Sequence, residues 1–571
     1  MRRLTIALAL AASALSSPAL ADTHFDNVEG LSIAADGTVD RFAGMVVDNQ
    51  GRIVQLLDFG DRPTGPVDYY QDMQGRTVVP GFVDSHVHVM DLGLSRLTLD
   101  LSQTRSLAEA QGLIAAYAER FPNRPWLVGR GWNEVTWGLG RFPTAEELDA
   151  VAGGRPVVME RADGHAVWVS SAGLAAAGIT AQTADPSGGR IVRRGGTGPG
   201  ARAPAGVLVD NAMQLVTSKV PPPRASDEDL ALFEAQQEFF RNGVTAVADM
   251  GTSINDWMTF RRAGDTGRLR LRIMAYADSV PNMLLIGGTG PTPWLYDDRL
   301  RLNGVKLWLD GALGSRGALL KADYADDHGN RGLPVLDGTQ LRNSMSRAAM
   351  DDFQVAIHAI GDAANADALD AIDVLSADFG GDRRWRIEHA QVVDPADIAL
   401  FARHGIIASM QPVHQASDRA MAEARLGPDR LAGAYAWRSI AGTGAPLAFG
   451  SDAPVEVSDP LEGLAVAISR TGPDGEPQGG WQPQEAISRE LALAAFTAGG
   501  ARAGFAEGHF GSLAVGERAD FVVLDGDPLL ATAPALRAMR VLETWIAGER
   551  VYAADAPPPE PPVVVAGEEG R

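Results

Sequence analysis

The chain has 571 residues, no cysteine, and 50 Lys and Arg against 72 Asp and Glu, for a formal net charge of −22. The lack of cysteine excludes a disulfide scaffold, thiolate metal sites and cysteine nucleophiles, so a metal would have to bind through histidine, carboxylate or a modified lysine. A composition of 45% hydrophobic and 21% charged residues is typical of a globular protein, and the acidic balance disfavours a nucleic-acid partner, which is bound mainly through Lys and Arg.

The N-terminus has the order of an export signal. Arg2 and Arg3 precede an apolar stretch at residues 4–15, and an Ala-x-Ala cleavage site follows at residues 19–21. We expect residues 1–21 to be a signal peptide, so that the mature protein has no membrane anchor and is exported to the periplasm or secreted. A buried N-terminal helix is the alternative interpretation.

Short apolar runs separated by Ala-rich helical patterns predict a parallel barrel. Eight runs have the composition of buried strands, at residues 77–84, 155–159, 243–247, 305–309, 354–357, 386–388, 405–410 and 446–450. Helical patterns lie between most of them, which makes repeated βα units the economical interpretation. We therefore predict the α/β class and a (β/α)8 TIM-type barrel over about residues 80–500.

The remaining segments do not fit this barrel. Residues 22–79 and 501–552 carry hairpin and strand patterns, which predict a small discontinuous β-sandwich domain built from both chain ends. The Trp-containing stretch at about 122–222 is longer than a βα loop needs, and we interpret it as an insertion near the barrel mouth that favours an apolar or aromatic substrate group. The Pro-rich residues 553–571 are expected to be a disordered tail.

Four histidines and one aspartate follow predicted strands. His86 and His88 are two residues apart, so they lie on one side of a strand and can hold one metal ion. His358, His389 and Asp452 end later strands, and the carboxyl ends of barrel strands meet at one rim. A His-x-His pair alone is weak evidence, but the convergence of five groups predicts a metal centre.

Lys306 is predicted to point into the barrel, because Val305, Leu307 and Leu309 alternate with it. An unpaired buried ammonium loses its proton, and a neutral lysine amine can take up carbon dioxide to form a carbamate that bridges two metal ions. The alternative is a structural ion pair with Asp310 or another inward carboxylate. The two interpretations predict different metal counts.

Nine short motifs of the sequence together resemble those of a known enzyme family. The chain resembles the amidohydrolase superfamily, and within it amidohydrolase family 3, the YtcJ-like branch related to N-substituted formamide deformylases, over nearly the whole mature sequence. The motifs that carry the resemblance are PGFVDSHVH (80–88), GRGWN (129–133), DGH (163–165), DPSGG (185–189), KLWLDGALGSR (306–316), HAIGD (358–362), RIEHAQ (386–391), SMQP (409–412) and FGSDAP (449–454).

The resemblance implies a barrel beside a small β domain and hydrolysis of amide, or less often ester-type, bonds at a metal centre. In family terms His86 and His88 would hold the more buried metal, which Asp452 would complete. His358 and His389 would hold a second metal, and a carboxylated Lys306 would bridge the two. The sequence departs from the family pattern at Ser170-Ser171 and Arg193-Arg194, both in the insertion, which puts the substrate pocket in doubt.

Single residues near the predicted metal ligands are candidates for catalysis and substrate binding. Asp452 is our candidate general base and then acid, with a purely ligating role as the alternative. His165 is a second catalytic candidate, as a donor to the developing oxyanion, unless it is only a packed core residue. Substrate contacts were predicted for four residues in loops or at strand ends, Trp132, Arg316, Gln411 and His414.

The expected function is an exported metal-dependent amidohydrolase that cleaves an amide, N-acyl or N-formyl C–N bond of a small molecule. The alternatives are an esterase or lactonase with the same metal centre and a non-catalytic binding or regulatory protein with the same fold. One or two divalent ions are expected, zinc first, although manganese, cobalt, nickel and iron also suit these ligands. The sequence does not decide the oligomeric state.

Overall fold

The computed structural model of the protein describes residues 22–195, 200–557 and 559. Three sheets hold the strands, which are, in chain order, β1 (Thr23–Ile33), β2 (Val39–Val47), β3 (Ile53–Leu57), β4 (Tyr69–Pro80), β5 (Phe82–Val87), β6 (Leu99–Asp100), β7 (Leu127–Trp132), β8 (Val157–Arg161), β9 (Ala166–Val169), β10 (Gly189–Arg193), β11 (Pro204–Asp210), β12 (Val244–Thr252), β13 (Arg272–Ala277), β14 (Leu300–Trp308), β15 (Gln354–Ala359), β16 (Arg386–His389), β17 (Ile407–Met410), β18 (Leu447–Phe449), β19 (Phe521–Leu524), β20 (Val541–Ile546) and β21 (Glu549–Ala553).

The helices lie between these strands. They are α1 (Val89–Leu97), α2 (Leu107–Arg120), α3 (Ala145–Asp149), α4 (Ser171–Ala176), α5 (Gln214–Thr217), α6 (Ala225–Arg241), α7 (Ile254–Asp265), α8 (Val280–Gly287), α9 (Gly338–Met350), α10 (Asp362–Ser376), α11 (Leu400–Arg403), α12 (Pro412–Leu426), α13 (Trp437–Ala441), α14 (Pro460–Ser469), α15 (Arg489–Ala495), α16 (Ala498–Ala503) and α17 (Ala533–Ala538). Several begin at a capping side chain: Ser106, Ser253 and Asp337 each accept a backbone N–H of the first turn.

A closed parallel barrel forms the centre of the molecule. Its strand order is β5-β12-β13-β14-β15-β16-β17-β18. Closure between the first and last strands comes just beyond them, where the Asp452 N–H donates to the His86 carbonyl at 2.7 Å and the His88 N–H donates to the Ala453 carbonyl at 2.8 Å. The predicted (β/α)8 barrel is confirmed, and its closing bonds hold His86, His88 and Asp452 together.

Two barrel strands differ from the prediction. Residues 155–159 were predicted as a barrel strand, but Val157–Arg161 lies in the insertion sheet, and β13 takes the barrel position instead. The pattern of β13 is hidden because two of its buried side chains are polar: Arg272 is ion-paired with Asp520, and the Tyr276 hydroxyl donates to Gln354 at 2.6 Å. An apolar pattern alone cannot tell which sheet a strand joins.

The predicted strand at 77–84 is two strands divided at Gly81. A Cβ atom on Gly81 would lie 2.2 Å from the Thr245 hydroxyl oxygen, so the backbone passes β12 more closely than a larger residue allows. The chain leaves the β domain as β4 and enters the barrel as β5 at this point.

The β domain joins both chain ends in one seven-stranded sheet of order β21-β20-β19-β4-β1-β2-β3. Strand β4 pairs in parallel with β1 and antiparallel with β19, with Pro80 opposite Phe521. Phe521 stacks on Trp545 and meets Phe25 edge-on in its core. Strands from both chain ends thus share this domain, as expected, but they form one sheet and not the two packed sheets of the predicted β-sandwich.

The insertion is a six-stranded sheet of order β10-β11-β9-β8-β7-β6. It begins at Leu99, earlier than the expected start near residue 122. Trp132, Trp137 and Trp168 pack against one another with ring centroids 6.1–6.5 Å apart in its core. These indoles stabilise the insertion instead of lining a substrate cavity.

The end segments carry predictions that the structure does not address. The predicted signal peptide, residues 1–21, lies outside the described residues. So does most of the predicted tail, whose first residue, Ala553, still belongs to β21. Among the described residues, none of the helices combines the length and apolar composition that crossing a bilayer requires.

Candidate metal centre

The predicted ligands come together at the carboxyl ends of the barrel strands. A cavity of about 450 Å³ opens there, and five of the six predicted ligands line it: His88, Lys306, His358, His389 and Asp452. His86 lies beneath them and is fully buried. Ligand atoms of His86, His389 and Asp452 all lie within 4.8 Å of one another, which is compatible with a shared cation.

The ring of His86 has a defined tautomer. Its Nδ1 lies 2.7 Å from a carboxylate oxygen of Glu388, which can only accept, so Nδ1 carries the proton. Its Nε2 lies 3.1 Å from Lys306 Nζ and therefore presents a lone pair. Burial, together with the positive charge of Lys306, holds the pKa of His86 well below its usual range, so the ring is neutral and able to bind a metal.

Glu388 is held in turn by Arg386. The guanidinium donates to both Glu388 oxygens, at 2.7 and 3.2 Å, and to the Ser85 carbonyl at 2.7 Å. Both side chains of this ion pair are fully buried. A carboxylate that orients a ligating histidine is a common support of protein metal sites.

Replacing Glu388 by Gln is expected to weaken divalent-metal affinity by about 10- to 100-fold, because the imidazole of His86 loses its charged hydrogen-bond acceptor. The measurement is a competition titration with a chromogenic chelator. Glu485→Gln is the matched control, since Glu485 is also buried but binds Ser439 away from the cavity. Equal metal affinity of the Glu388→Gln variant and the native protein would remove Glu388 from the support of the site.

Asp452 has the oxygen atom best suited to bind a cation. Its Oδ1 lies 3.3 Å from His88 Nε2 and 3.5 Å from His86 Nε2, yet it is buried and has no hydrogen-bond partner. Burial alone would raise the pKa of Asp452, but the neighbouring imidazole of His88 holds it well below its usual range, so the carboxylate is charged. A divalent ion would satisfy this oxygen, and the donor set therefore fits one.

Two of the converging residues have left-handed backbone conformations. Asp452 has φ +61° and His389 has φ +73°. Such conformations cost non-glycine residues about 1–3 kcal/mol each, and they cluster at functional sites. At His389 the conformation interrupts strand alternation, so His389 and its neighbour Glu388 both face His86.

His358 and His389 lie side by side, with ring centroids 4.5 Å apart. His358 Nε2 is buried without a hydrogen-bond partner, while His389 Nδ1 donates to the Gln411 amide oxygen at 2.9 Å. Burial, with the charge of neighbouring groups, holds the pKa of both rings well below its usual range. Both are therefore neutral and able to ligate.

Lys306 is buried as predicted, and burial lowers its pKa to about 8. The alternative of an ion pair with Asp310 is wrong: Asp310 instead accepts backbone N–H groups of Leu319, Ile360 and Gly361 at 2.8–3.0 Å. Among the described residues, no carboxylate lies within ion-pair distance of Lys306 Nζ. The amine is thus available for carboxylation.

His165 reaches the same cavity from the insertion. Its Nδ1 donates to Asp210 Oδ1 at 2.8 Å, and its ring lies 5.2 Å from that of His358. Burial alone would lower the pKa of His165, but the hydrogen bond to Asp210 and the nearby charges raise it to about 9. His165 therefore places a cationic donor in the cavity wall.

The partner of His165, Asp210, was missed by the sequence analysis. It ends β11 with φ +51°, and its carboxylate lies where Cβ atoms on Gly311 or Gly317 would come within 2.7 Å. No local pattern marks Asp210, because its partner is 45 residues away in the chain.

One of the four residues predicted to contact substrate lines the cavity. His414 lines the cavity, with its Nε2 3.6 Å from Asp452 Oδ2. Gln411 and Arg316 are not part of the cavity lining. Gln411 is buried and accepts from the His389 ring, and Arg316 is ion-paired with Asp326. Trp132 was wrongly predicted as a substrate contact: it is fully buried, and its indole N–H donates to the Met159 carbonyl at 2.7 Å.

Charged residues make up much of the cavity lining, where the Trp residues of the insertion were expected. Seven charged lining residues were not predicted as site residues: Asp91, Arg130, Glu160, Arg161, Asp163, Asp418 and Glu456. Trp132, Trp137 and Trp168 pack inside the insertion and do not supply the aromatic lining on which that expectation rested, whereas Trp308 of β14 does line the cavity.

Known proteins resemble this chain over most of its length. The family model described as "Amidohydrolase family" matches residues 70–552. The Protein LONG AFTER FAR-RED 3 of Arabidopsis thaliana is 34% identical over 90% of this chain and 88% of its own. The YtcJ protein of Bacillus subtilis is 34% identical over 84% of this chain and 90% of its own.

Two further likenesses concern enzymes. The N-substituted formamide deformylase of Arthrobacter pascens is 27% identical over 84% of this chain and 89% of its own. The crystal structure of an uncharacterized metal-dependent hydrolase from Pyrococcus furiosus superposes with a TM-score of 0.68 and 27% identity, covering 89% of this chain and 100% of that one.

Proposed function

The chain belongs to the amidohydrolase family, and from this we propose that it is an exported metal-dependent hydrolase that cleaves the C–N bond of a small amide, N-acyl or N-formyl compound. The observation that carries the proposal is that ligand atoms of His86, His389 and Asp452 lie within 4.8 Å of one another and that a buried oxygen of Asp452 has no hydrogen-bond partner. Likeness to a formamide deformylase supports the choice of C–N bond, and the pattern of residues 1–21 supports export.

Six residues would hold the metal. His86, His88 and Asp452 would bind one ion, His358 and His389 a second, and a carboxylated Lys306 would bridge them. A bound divalent ion supplies Lewis acidity, which polarises a carbonyl oxygen and makes water more acidic. Zinc is the ion we propose, since neutral imidazoles and carboxylates are ligands that zinc prefers.

Asp452 is proposed to move the proton. Its carboxylate is charged at neutral pH and faces the cavity, so it can take a proton from the attacking water. Addition of this water to the carbonyl carbon is followed by cleavage of the C–N bond. Asp452 then returns the proton to the departing nitrogen, which leaves as an amine, and the acyl group leaves as a carboxylic acid.

His165 is proposed to stabilise the negative charge that develops on the carbonyl oxygen. Its cationic ring is fixed by Asp210 and lies on the cavity wall beside His358. A positioned donor of this kind acts without reorganising during the reaction.

The test is an assay of the purified exported chain, loaded with zinc, on matched N-formyl amines, N-acetyl amines, esters and lactones. We expect release of amine from at least one amide series and loss of this activity in the metal-free protein. Elemental analysis of the same sample should give about two ions per chain if Lys306 is a bridge. Turnover of esters alone would replace amide hydrolysis by ester hydrolysis, and no turnover by metal-loaded protein would contradict the proposal.

A further inference from the structure

Two carboxylates on one wall of the cavity have no counter-ion. Asp418 lies on α12 and Glu456 follows β18, and both line the cavity that holds the predicted metal ligands. The Tyr435 hydroxyl donates to Asp418 at 2.8 Å, and the Ser417 hydroxyl donates to Glu456. Each carboxylate therefore has one oxygen without a hydrogen-bond donor from the described residues.

The two arginines of the cavity lie on the opposite, insertion side of it. Arg161 is paired with Glu134 and Asp163, and Arg130 lies directly across the strand pair from Glu160. Both arginines belong to the insertion wall, each with a carboxylate neighbour. Among the described residues, no Lys or Arg forms an ion pair with Asp418 or Glu456.

Charge in the cavity is unbalanced as a result. The lining includes six carboxylates but three Lys or Arg side chains, and the cationic His165 is paired with Asp210. Burial raises the pKa of Glu456 to about 7 and also raises the pKa of Asp418. Two half-buried carboxylates on one wall of the cavity are stabilised by a cation that enters it.

The next feature is His414, which lies on the same helix as Asp418 and has its Nε2 3.6 Å from Asp452 Oδ2. His414 is 5% exposed, lines the cavity, and has an Nε2 atom with no hydrogen-bond partner. Its Nδ1 is occupied by the Gln391 amide at 3.0 Å. A buried polar atom without a partner calls for a group that the protein itself does not supply.

Apolar side chains flank the two carboxylates. Met421 lies one helical turn after Asp418, and Val455 precedes Glu456; both line the cavity. An aliphatic chain can pack there between the metal ligands and the carboxylates.

We propose that Asp418 and Glu456 form a subsite for the positively charged end of the substrate, so that the compound hydrolysed is an N-acylated amine carrying a second amino group on an aliphatic chain. The proposal rests on amide hydrolysis as the reaction and adds the substrate class. The ammonium group would donate to the free oxygens of the two carboxylates, and the acyl carbonyl would lie at the metal ligands.

The test uses the metal-loaded chain and three probe substrates with the same five-carbon spacer: cationic N-acetyl-1,5-diaminopentane, neutral N-acetylpentylamine and anionic N-acetyl-6-aminohexanoate. We expect kcat/KM for the cationic probe to exceed that for the neutral probe by about tenfold or more. In Asp418→Asn, Glu456→Gln and the double variant this ratio should fall by about tenfold. Asp429→Asn, an exposed aspartate just beyond α12, is the control and should keep the native ratio.

Binding of 1,5-diaminopentane, measured by isothermal titration calorimetry, separates the subsite from the reaction. Binding that is lost in the double variant supports the subsite even if no amide is hydrolysed, in which case the proposed reaction fails alone. Hydrolysis of amides with equal kcat/KM for the cationic and neutral probes would overturn the subsite and leave the reaction. Preference for the anionic probe would also overturn it and would make Arg130 the recognition group.

Discussion

Replacing Asp452 by Asn is expected to lower kcat/KM on an amide substrate by about 10³-fold or more. The amide side chain keeps the shape of Asp452 but cannot take up a proton, and proton transfer by a positioned side chain contributes about 10²- to 10⁴-fold to a rate. The loss of charge beside His86 and His88 also weakens the metal site, which adds to the effect.

Metal content must therefore be measured together with activity. Elemental analysis of Asp452→Asn, at saturating zinc, identifies the loss that occurs with metal still bound. Asp520→Asn is the control: it removes a buried carboxylate that binds Arg272 at the β-domain interface, far from the cavity. Near-native kcat in Asp452→Asn with full metal content would restrict Asp452 to ligation.

Replacing Lys306 by Ala is expected to reduce bound divalent metal from about two ions to about one per chain and to lower kcat/KM by more than about 100-fold. The physical reason is the environment of the amine: it is buried, has no carboxylate partner among the described residues, and lies 3.1 Å from a predicted ligand atom of His86. Such an amine loses its proton readily and can react with carbon dioxide.

Lys306 can also be observed directly. The chain has three lysines, Lys219, Lys306 and Lys321, so a carbamate signal after growth with ¹³C-bicarbonate is simple to assign by its loss in Lys306→Ala. Lys321→Ala is the control, because Lys321 pairs with Asp394 and Asp397 on the surface. One ion per chain in the native protein, with no carbamate signal, would make the site mononuclear.

The buried ion pair between Arg386 and Glu388 is the reason for testing Glu388→Gln and not Glu388→Ala. Removing one partner of a buried ion pair leaves an uncompensated charge and costs about 3–5 kcal/mol. Glu388→Ala would leave Arg386 in that state, with consequences for folding as well as metal binding. Glu388→Gln also removes the charge that neutralises Arg386 but keeps a side-chain oxygen that can accept from His86, so its thermal unfolding is measured before metal affinities are compared.

Sequence periodicity was sufficient to predict the barrel and the position of most ligand candidates. Parallel strands that are covered by helices on the outside are apolar throughout, and their carboxyl ends meet at one rim. His86, His358 and Asp452 could therefore be placed together from their positions after strand patterns. Alternation similarly predicted that Lys306 is buried, which the structure confirms.

Other features depended on contacts between distant segments. The polar side chains of β13 concealed a barrel strand, since Arg272 is buried only because Asp520 of the β domain neutralises it. The indole of Trp132 belongs to the core of the insertion, which no local pattern distinguishes from a cavity wall.

The sequence by itself determined the barrel, the β domain from both ends and the family, because these depend on local periodicity and short motifs. The tertiary structure alone decided which side chains face one another: His86 with Glu388, His165 with Asp210, and Asp418 with Glu456 without a counter-ion. At His389 a left-handed backbone turns a ligand candidate inward against strand alternation. Charge pairing in the cavity is a property of segments separated by tens to hundreds of residues, so it becomes defined only when the chain has folded.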